Sequence, residues 1–98
     1  MTASSSTGVF AISVAAEMAS MEIQNLRVYE RRGLLDPDRT AGGTRLYSQD
    51  DVDTLVRIGE LLGEGLNLAG IAYVLELEQT VAVLRTENTR LKGRRRAE

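Results

Sequence analysis

The sequence contains no cysteine and no histidine. Without these side chains the chain has no thiolate or imidazole ligand for zinc, no thiol redox chemistry, and no Ser-His or Cys-His catalytic pair. The carboxylates, tyrosines, serines and single lysine that remain are not grouped into a convincing catalytic site. We therefore predict a protein that is not an enzyme and that uses no metal ion or other cofactor.

Long apolar runs are also absent. No stretch approaches the roughly 20 residues that a membrane-spanning helix needs, and the Ser/Thr-rich residues 1–8 have neither the basic nor the apolar part of a signal peptide. We predict that residues 1–8 form a disordered tail and that the protein is soluble and cytoplasmic. Its 98 residues, of which 43% are hydrophobic and 27% charged, suit one small globular domain.

Two short helices are predicted in the first third of the chain. Ser13 is a typical N-cap residue for a helix at residues 14–19. After a break at residues 20–21, a second helix is predicted from Glu22 to Arg32, because Gly33 is a typical C′ residue. Two helices with so short a link form a compact corner, as in helix-turn-helix units.

A β-hairpin is predicted directly after the second helix. Pro37 prevents that helix from continuing. Within residues 39–47, Gly42-Gly43 separate two short segments that contain Thr, Leu and Tyr, which is typical of a hairpin with a Gly-Gly turn. A hairpin beside a helix-turn-helix corner forms a winged arrangement.

Capping signals predict two further helices. The string Ser48-Gln49-Asp50-Asp51 resembles a capping box at the start of a third helix, and Gly63 and Gly65 end it. Asn67 can cap a fourth helix that starts near Leu68. The apolar face predicted for the third helix consists of Val52, Leu55, Val56, Gly59 and Leu62, and that of the fourth begins with Ile71, Val74 and Leu75.

A heptad repeat runs along the fourth helix, which no clear breaker interrupts before Lys92. Two sets of residues, offset by three, each recur every seven positions, as the a and d positions of a coiled coil do. We predict a self-association seam; the alternative is that its first residues pack on the winged domain and the rest is solvated. The repeat does not fix a parallel or antiparallel pairing. The seam consists of Val74, Leu77, Val81, Leu84, Asn88 and Leu91.

The second helix carries the strongest functional signal. On a helical projection, one side holds Ile23, Leu26 and Glu30, with Tyr29 at its edge. The opposite side presents Arg, Gln and Asn, the side chains that read guanine and adenine edges in the major groove. We interpret this side as a DNA recognition surface; the alternative is a solvated polar face. The surface consists of Gln24, Asn25, Arg27, Val28 and Arg31.

The predicted hairpin supplies a second set of candidate contacts. A glycine tip lets the backbone approach a phosphate closely, and Arg and Tyr donate hydrogen bonds to phosphate oxygens. The alternative is an ordinary surface hairpin whose tyrosine packs against the core. The candidates are Arg39, Gly43, Thr44, Arg45 and Tyr47.

Glu30 raises a separate question because it lies on the inward side of the second helix. A buried carboxylate needs a partner. We predict that Glu30 pairs with an arginine or with backbone N–H groups of the hairpin segment. The alternative is that it reaches solvent.

The net charge of −2 hides an uneven distribution. Residues 22–47 carry a net +1 and residues 79–98 a net +4, whereas residues 48–78 carry −6. Nucleic-acid binding depends on such local patches rather than on the total charge. The weakly basic residues 22–47 predict modest affinity for each monomer, which dimerisation would raise by doubling the phosphate contacts.

Four strings support a family resemblance: ISVAAEMA at 12–19, QNLRVYERRGLL at 24–35, RTAGGTRLYS at 39–48 and GLNLAGI at 65–71. In this order and spacing they resemble the MerR-type transcription regulators, particularly the HspR heat-shock repressors of actinobacteria. The resemblance implies a winged helix-turn-helix, a helical dimerisation element and an inverted-repeat operator near a promoter. It also places Arg27, Tyr29, Arg45 and Tyr47 at DNA.

The chain departs from the family pattern in two places. Ser20 stands where these regulators often have glycine, and Glu22 stands where they often have Ser or Thr at the cap of the recognition helix. Glu22 suits the helix dipole but would repel a nearby phosphate. We expect no separate effector domain, and therefore no small-molecule effector.

The predicted fold is mostly α-helical, with a winged helix-turn-helix at 9–75, a coiled-coil dimerisation helix at 76–92 and a basic tail at 93–98. The predicted function is a sequence-specific transcription regulator, more plausibly a repressor than an activator, that binds double-stranded DNA as a homodimer. The resemblance also implies a regulatory protein partner, such as a chaperone. Two alternatives stay open: an excisionase-like protein that bends DNA, and a module whose coiled coil recruits a protein partner.

Overall fold

The structure, a computed structural model, describes the backbone of residues 4–97 and the side chains of residues 4–94. The chain divides into two compact units between Gly65 and Leu66. The predicted architecture, four helices with a two-stranded antiparallel hairpin, is confirmed. The elements are α1 (Ile12–Met18), α2 (Ile23–Arg31), β1 (Asp38–Arg39), β2 (Arg45–Leu46), α3 (Gln49–Gly63) and α4 (Leu68–Ala97).

The start of α1 differs from the prediction. Ala11 is the N-cap residue and makes no side-chain cap hydrogen bond, so Ser13 lies inside the first turn and its predicted role as the cap is wrong. The reason lies one residue earlier, where Phe10 pairs with Tyr47 in an antiparallel bridge. Because this bridge holds the chain extended as far as Phe10, the helix begins immediately after it.

A Schellman motif ends α1 and sets the turn into α2. The Ser20 N–H donates to Glu17 O at 3.1 Å, and the Met21 N–H donates to Ala16 O at 2.9 Å. Ser20 has a φ of +55°, in the left-handed region that usually requires glycine. This compact link confirms the predicted helical corner.

The same motif ends α2. Gly33 has a φ of +77° and donates to Glu30 O at 3.0 Å, while the Leu34 N–H donates to Tyr29 O at 2.9 Å. The prediction that Gly33 is the C′ residue is therefore confirmed. The helix is one residue shorter at each end than predicted, because Glu22 and Arg32 are its cap residues.

The hairpin is confirmed, but its turn differs from a Gly-Gly turn. Gly43 N–H donates to Thr40 O at 2.9 Å, and Thr40 N–H donates to Thr44 O at 2.9 Å. The turn is therefore centred on Ala41-Gly42, and Gly43 follows it with a φ of +85°. A three-residue loop that ends on a left-handed residue is one of the common hairpin connections.

The N-terminal segment was predicted to be disordered over residues 1–8, of which residues 1–3 lie outside the described part. Residues 4–8 are tied to the rest of the unit, which corrects the prediction for them. Ser5 O accepts from the Asp50 N–H at 3.0 Å, and the Gly8 N–H donates to Asp38 Oδ2 at 2.8 Å. Sequence composition missed this because the bonds are made by the backbone.

Gly8 explains why the N-terminal segment lies so close to the hairpin. A Cβ atom at this position would overlap the Leu46 carbonyl oxygen and would lie 2.9 Å from Asp38 Cβ. Only a residue without a side chain allows this approach. The segment then continues to Phe10, whose N–H and carbonyl oxygen both bond to Tyr47.

Helix α3 begins with the predicted capping box. Ser48 Oγ accepts from the Asp51 N–H at 3.0 Å, and Asp51 Oδ2 accepts from the Ser48 N–H at 2.9 Å. Its buried face, however, follows steps of three residues, so the predicted core positions Val56 and Leu62 are 45% and 39% exposed. The buried side chains of α3 are Val52, Leu55, Ile58 and Leu61.

The core of the first unit lies among α1, α2, the hairpin and α3. Small alanines on α1 allow close packing, and leucines and tyrosines fill the remaining volume. Between α1 and the residue that follows β2, the buried apolar residues include Ala15, Ala16, Leu26, Tyr29, Leu35 and Tyr47.

The second unit consists of α4, whose predicted cap is confirmed because Asn67 Oδ1 accepts from the Gly70 N–H at 2.8 Å. Ile71 is fully buried. The helix is continuous, so the boundary predicted between residues 75 and 76 falls within it, and the predicted tail from residue 93 is helical as far as Ala97. Among the described residues, no helix is both long and apolar enough to cross a membrane.

Candidate nucleic-acid interface

Helix α2 separates a buried face from an exposed polar face, as predicted. Leu26 and Tyr29 are buried. Among the side chains of residues 4–94, the polar ones on the other face form no hydrogen bond or ion pair, so their donors and acceptors are available to a partner. Val28 is half-buried beside them. The exposed polar residues are Gln24, Asn25, Arg27 and Arg31.

The hairpin brings four of its five predicted contact residues to the surface. Gly43 and Thr44 are exposed at the tip, where Thr40 Oγ1 accepts from the Thr44 N–H at 3.1 Å. The side chains of Arg39 and Arg45 are 51% and 36% exposed. The backbone N–H groups of Gly43 and Thr44 are bonded within the hairpin, so the donors that remain for phosphates are the Thr44 hydroxyl and the two guanidinium groups.

Glu30 joins this hairpin to α2, which confirms the predicted pairing with arginine. Its Oε1 atom accepts from Arg39 Nη2 at 3.1 Å, and both carboxylate oxygens accept from Arg45 Nε at 2.6 Å. The hydrogen bond from Arg45 lowers the pKa of Glu30, with help from the charges of both arginines and against the effect of burial. The same bond raises the pKa of Arg45.

The two tyrosines predicted at DNA are buried instead. Tyr29 is 5% exposed and Tyr47 is not exposed at all. Burial raises the pKa of both hydroxyl groups, and the Tyr47 hydroxyl has no hydrogen-bond partner among the described residues. The backbone bridge to Phe10 explains the inward position of Tyr47, because it fixes the end of β2 against the N-terminal segment.

Helix α4 presents an apolar stripe on one side. Val74 is half-buried and Asn88 is exposed. A groove along the stripe also has Glu78 and Arg85 in its lining. An exposed apolar patch of this kind marks an interaction surface. The exposed apolar residues of the predicted seam are Leu77, Val81, Leu84 and Leu91.

The sequence model described as "MerR HTH family regulatory protein" matches residues 10–78, which include both helices of the corner and the hairpin. The chain belongs to the MerR family. This result confirms the resemblance found in the four sequence strings. Among residues 4–97, no group of three or more acidic side chains is placed to hold a metal ion.

Two relatives show how far the MerR similarity extends. HspR of Streptomyces coelicolor is 46% identical over 86 residues, which cover 87% of this chain and 57% of HspR. The transcriptional regulator GlnR of Bacillus cereus is 40% identical over 87 residues, which cover 87% of this chain and 67% of GlnR. The chain thus spans a little more than half the length of HspR.

A solved structure shows the same fold. HiNmlR, a MerR family regulator that lacks the sensor domain and is bound to promoter DNA, matches with a TM-score of 0.65. The match covers 85% of this chain and 70% of HiNmlR at 23% identity. At this identity the likeness supports the MerR fold alone.

Sequence reasoning missed the N-terminal segment as a support for the MerR wing. Gly8 and Asp38 fix it to β1, and Phe10 fixes it to Tyr47. A signal was present, since the apolar pair Val9-Phe10 directly follows a glycine. The signal is short, however, and bonding between backbone groups does not depend on residue type.

Proposed function

We propose that this MerR-family chain is a sequence-specific DNA-binding transcription regulator that acts as a homodimer on an inverted-repeat operator. The observation that carries the proposal is the exposed polar face of α2, which is linked through Glu30 to two partly exposed arginines of the hairpin. A helix fits the major groove of B-DNA, and a neighbouring basic hairpin then reaches the flanking backbone.

Different residues of this surface suit different parts of a duplex. Gln24 and Asn25 at the start of α2 match adenine edges, whereas Arg27 and Arg31 match guanine edges. The half-buried Val28 offers an apolar contact to a thymine methyl group. The contacts proposed for phosphates come from Arg39, Thr44 and Arg45, and Gly43 lets the backbone approach closely.

The buried tyrosines are not part of the proposed surface. Tyr29 and Tyr47 fill the core behind α2 and the hairpin, so their role in the proposal is to support the residues that touch DNA. A phosphate contact from the buried Tyr47 hydroxyl would require the core to open.

The apolar stripe of α4 supports the homodimer. A single chain leaves Leu77 and Leu84 more than 60% exposed, and a second copy with the same heptad positions is a matching partner. A two-fold dimer of helix-turn-helix units recognises two half-sites related by the same symmetry, which is the origin of inverted-repeat operators. HiNmlR, one MerR family regulator of known structure, is bound to promoter DNA.

The proposed effect on transcription is repression. A dimer that spans a promoter occupies surface that RNA polymerase needs, so binding alone lowers initiation. The similarity to HspR extends the proposal to a protein partner, such as a chaperone, that modulates this binding.

Genome-wide mapping of the DNA bound by the full chain tests the proposal. The expected result is a small set of promoter sites that share an inverted repeat, with increased expression of the adjacent genes when the protein is removed. Bound sites confined to recombination attachment sequences would favour an excisionase-like role. Recovery of no specific DNA would favour a module that recruits a protein through α4.

A further inference from the structure

One carboxylate of α2 holds both strands of the hairpin. Arg39 ends β1, Arg45 begins β2, and the two are direct partners in the antiparallel register. Glu30 accepts hydrogen bonds from Arg39 Nη2 at 3.1 Å and from Arg45 Nε at 2.6 Å. We call these three residues the Glu30 clasp. Because its arginines lie on opposite strands, the clasp fixes the hairpin as a unit.

The other hydrogen bonds of the hairpin side chains do not reach α2. Asp38 bonds to Gly8 of the N-terminal segment, and Arg39 Nη1 donates to Gly43 O at 3.2 Å within the hairpin itself. Within residues 4–97, the hydrogen bonds recorded between α2 and the hairpin all end on Glu30. The position of the hairpin relative to α2 therefore depends strongly on this one side chain.

Both arginines keep donors for a second partner. Arg45 uses Nε for Glu30, which leaves the N–H groups of its two terminal nitrogens. The side chain of Glu30 is only 15% exposed, whereas those of Arg39 and Arg45 are 51% and 36% exposed. The carboxylate thus lies beneath two guanidinium groups whose outer edges reach solvent, and it orients them without covering them.

The clasp has an electrostatic effect that opposes DNA binding. The charge of Glu30 offsets part of the positive charge of the arginines and repels a phosphate. If charge alone determined affinity, removal of Glu30 would strengthen binding. If placement dominates, removal weakens binding, because two long side chains must then be ordered at the phosphates when DNA binds.

We infer that Glu30 is a positioning residue for the wing, and that its carboxylate fixes Arg39 and Arg45 at a spacing from which both reach phosphates of the duplex read by α2. This inference rests on the proposed function and adds to it a requirement for one particular negative charge. The loss of that charge weakens binding even though it makes the protein less acidic.

The test compares wild type and Glu30→Gln as full chains, by fluorescence anisotropy on a labelled operator duplex over a range of KCl concentrations. Glutamine keeps the size of the side chain and removes its charge. The expected result is an affinity about tenfold lower. This factor corresponds to the free-energy cost of ordering two arginine side chains when DNA binds. The slope of log K against log salt decreases in magnitude by about 0.9 for each phosphate that the variant no longer neutralises.

A charge-matched control is Glu76→Gln. Glu76 is exposed on α4 and lies outside the apolar stripe, and its replacement changes the net charge of −2 by the same amount. We expect wild-type affinity and slope for this variant. The comparison separates loss of the clasp from a general decrease in acidity.

A second variant keeps the positive charge of the clasp but removes its geometry. Arg45→Lys has no Nε group to donate to Glu30, and we expect it to weaken binding as Glu30→Gln does. The two changes combined are expected to weaken binding no more than either one alone, as for residues that act together. If Glu30→Gln does not fold, hairpin amide exchange in Arg45→Lys, measured without DNA, carries the test, because it does not depend on a direct contact between Arg45 and DNA.

Amide hydrogen exchange without DNA gives an independent readout. In Glu30→Gln we expect faster exchange at the hairpin amides of Thr40 and Gly43, with unchanged exchange in α3. Equal or tighter DNA binding by Glu30→Gln would overturn the inference, whether or not the hairpin exchange changes. Failure of the wild type to bind duplex would instead overturn the proposed function, and the exchange data would still decide whether Glu30 holds the hairpin.

Discussion

At the scale of single residues, Arg27 is the side chain of α2 that most directly tests base recognition. It is exposed and makes no recorded hydrogen bond or ion pair within residues 4–97, so its replacement leaves the fold intact. If Arg27 reads a base, Arg27→Ala weakens specific binding by about 1–3 kcal/mol. Isothermal titration with operator and scrambled duplexes measures the difference.

The matched control for Arg27→Ala is Arg90→Ala on α4. Arg90 is exposed and forms an ion pair with Glu87, and its loss changes the net charge equally. We expect Arg90→Ala to keep operator affinity. Equal affinities for wild type and Arg27→Ala would remove Arg27 from the contact surface.

Tyr47 supports a prediction about stability. Its hydroxyl is buried without a hydrogen-bond partner among the described residues, and an unsatisfied buried donor costs about 1–3 kcal/mol. Tyr47→Phe removes the hydroxyl and keeps the ring, so we expect the free energy of unfolding to rise by about 1 kcal/mol. Urea denaturation measures the change; a clear loss of stability would show that the hydroxyl has a partner.

At the scale of elements, the turn between α1 and α2 contains a strained residue. Ser20 occupies the left-handed C′ position of a Schellman motif with a φ of +55°, where an L-residue is disfavoured by about 1–2 kcal/mol. Ser20→Gly is expected to raise the melting temperature because glycine adopts this conformation without a Cβ clash. Differential scanning calorimetry measures the shift.

Gly33 allows the reverse substitution to be tested. It occupies the same C′ position at the end of α2, with a φ of +77°. Gly33→Ala should therefore lower the melting temperature. If Ser20→Gly also lowered it, the serine side chain would have a stabilising contact that outweighs the backbone strain.

The elements also show what sequence patterns can and cannot predict. The roles of Gly33, Ser48 and Asn67 at helix ends were predictable because each depends on one residue type and its neighbours within a few residues. The start of α1 and the N-terminal segment were not, because both depend on the bridge between Phe10 and Tyr47, which are far apart in sequence. Local signals do not contain that pairing.

The same contrast applies to the candidate site. The outward direction of Arg27 and the inward direction of Glu30 follow from helical periodicity, so both were predictable. The burial of Tyr47 was not, because a residue type that suits both a core and a phosphate contact leaves two interpretations open. The structure selects the core.

At the scale of the whole molecule, the proposed homodimer is tested through the apolar stripe of α4. Leu84 lies in the apolar stripe of α4 and is 61% exposed in the single chain, so Leu84→Asp should not unfold the monomer. A buried aspartate in the seam of a dimer would be unpaired. We therefore expect Leu84→Asp to sediment as a monomer at concentrations where the wild type is a dimer.

The control for Leu84→Asp is Val83→Asp. Val83 is adjacent in sequence and 57% exposed, but it lies outside the a and d positions of the heptad. We expect it to remain dimeric. A dimeric Leu84→Asp variant would place the association surface elsewhere on the chain.

The exposed face of α2 and the arginines of the Glu30 clasp together form the proposed surface for duplex DNA. Its most direct test is the affinity of the purified full chain for an operator duplex and for a scrambled duplex, measured over a range of salt concentrations. We predict that log K falls linearly with log salt for both duplexes, and that the operator is preferred by a factor of at least about 10³. Equal affinity for the two duplexes, or no binding to either at low salt, would contradict the account.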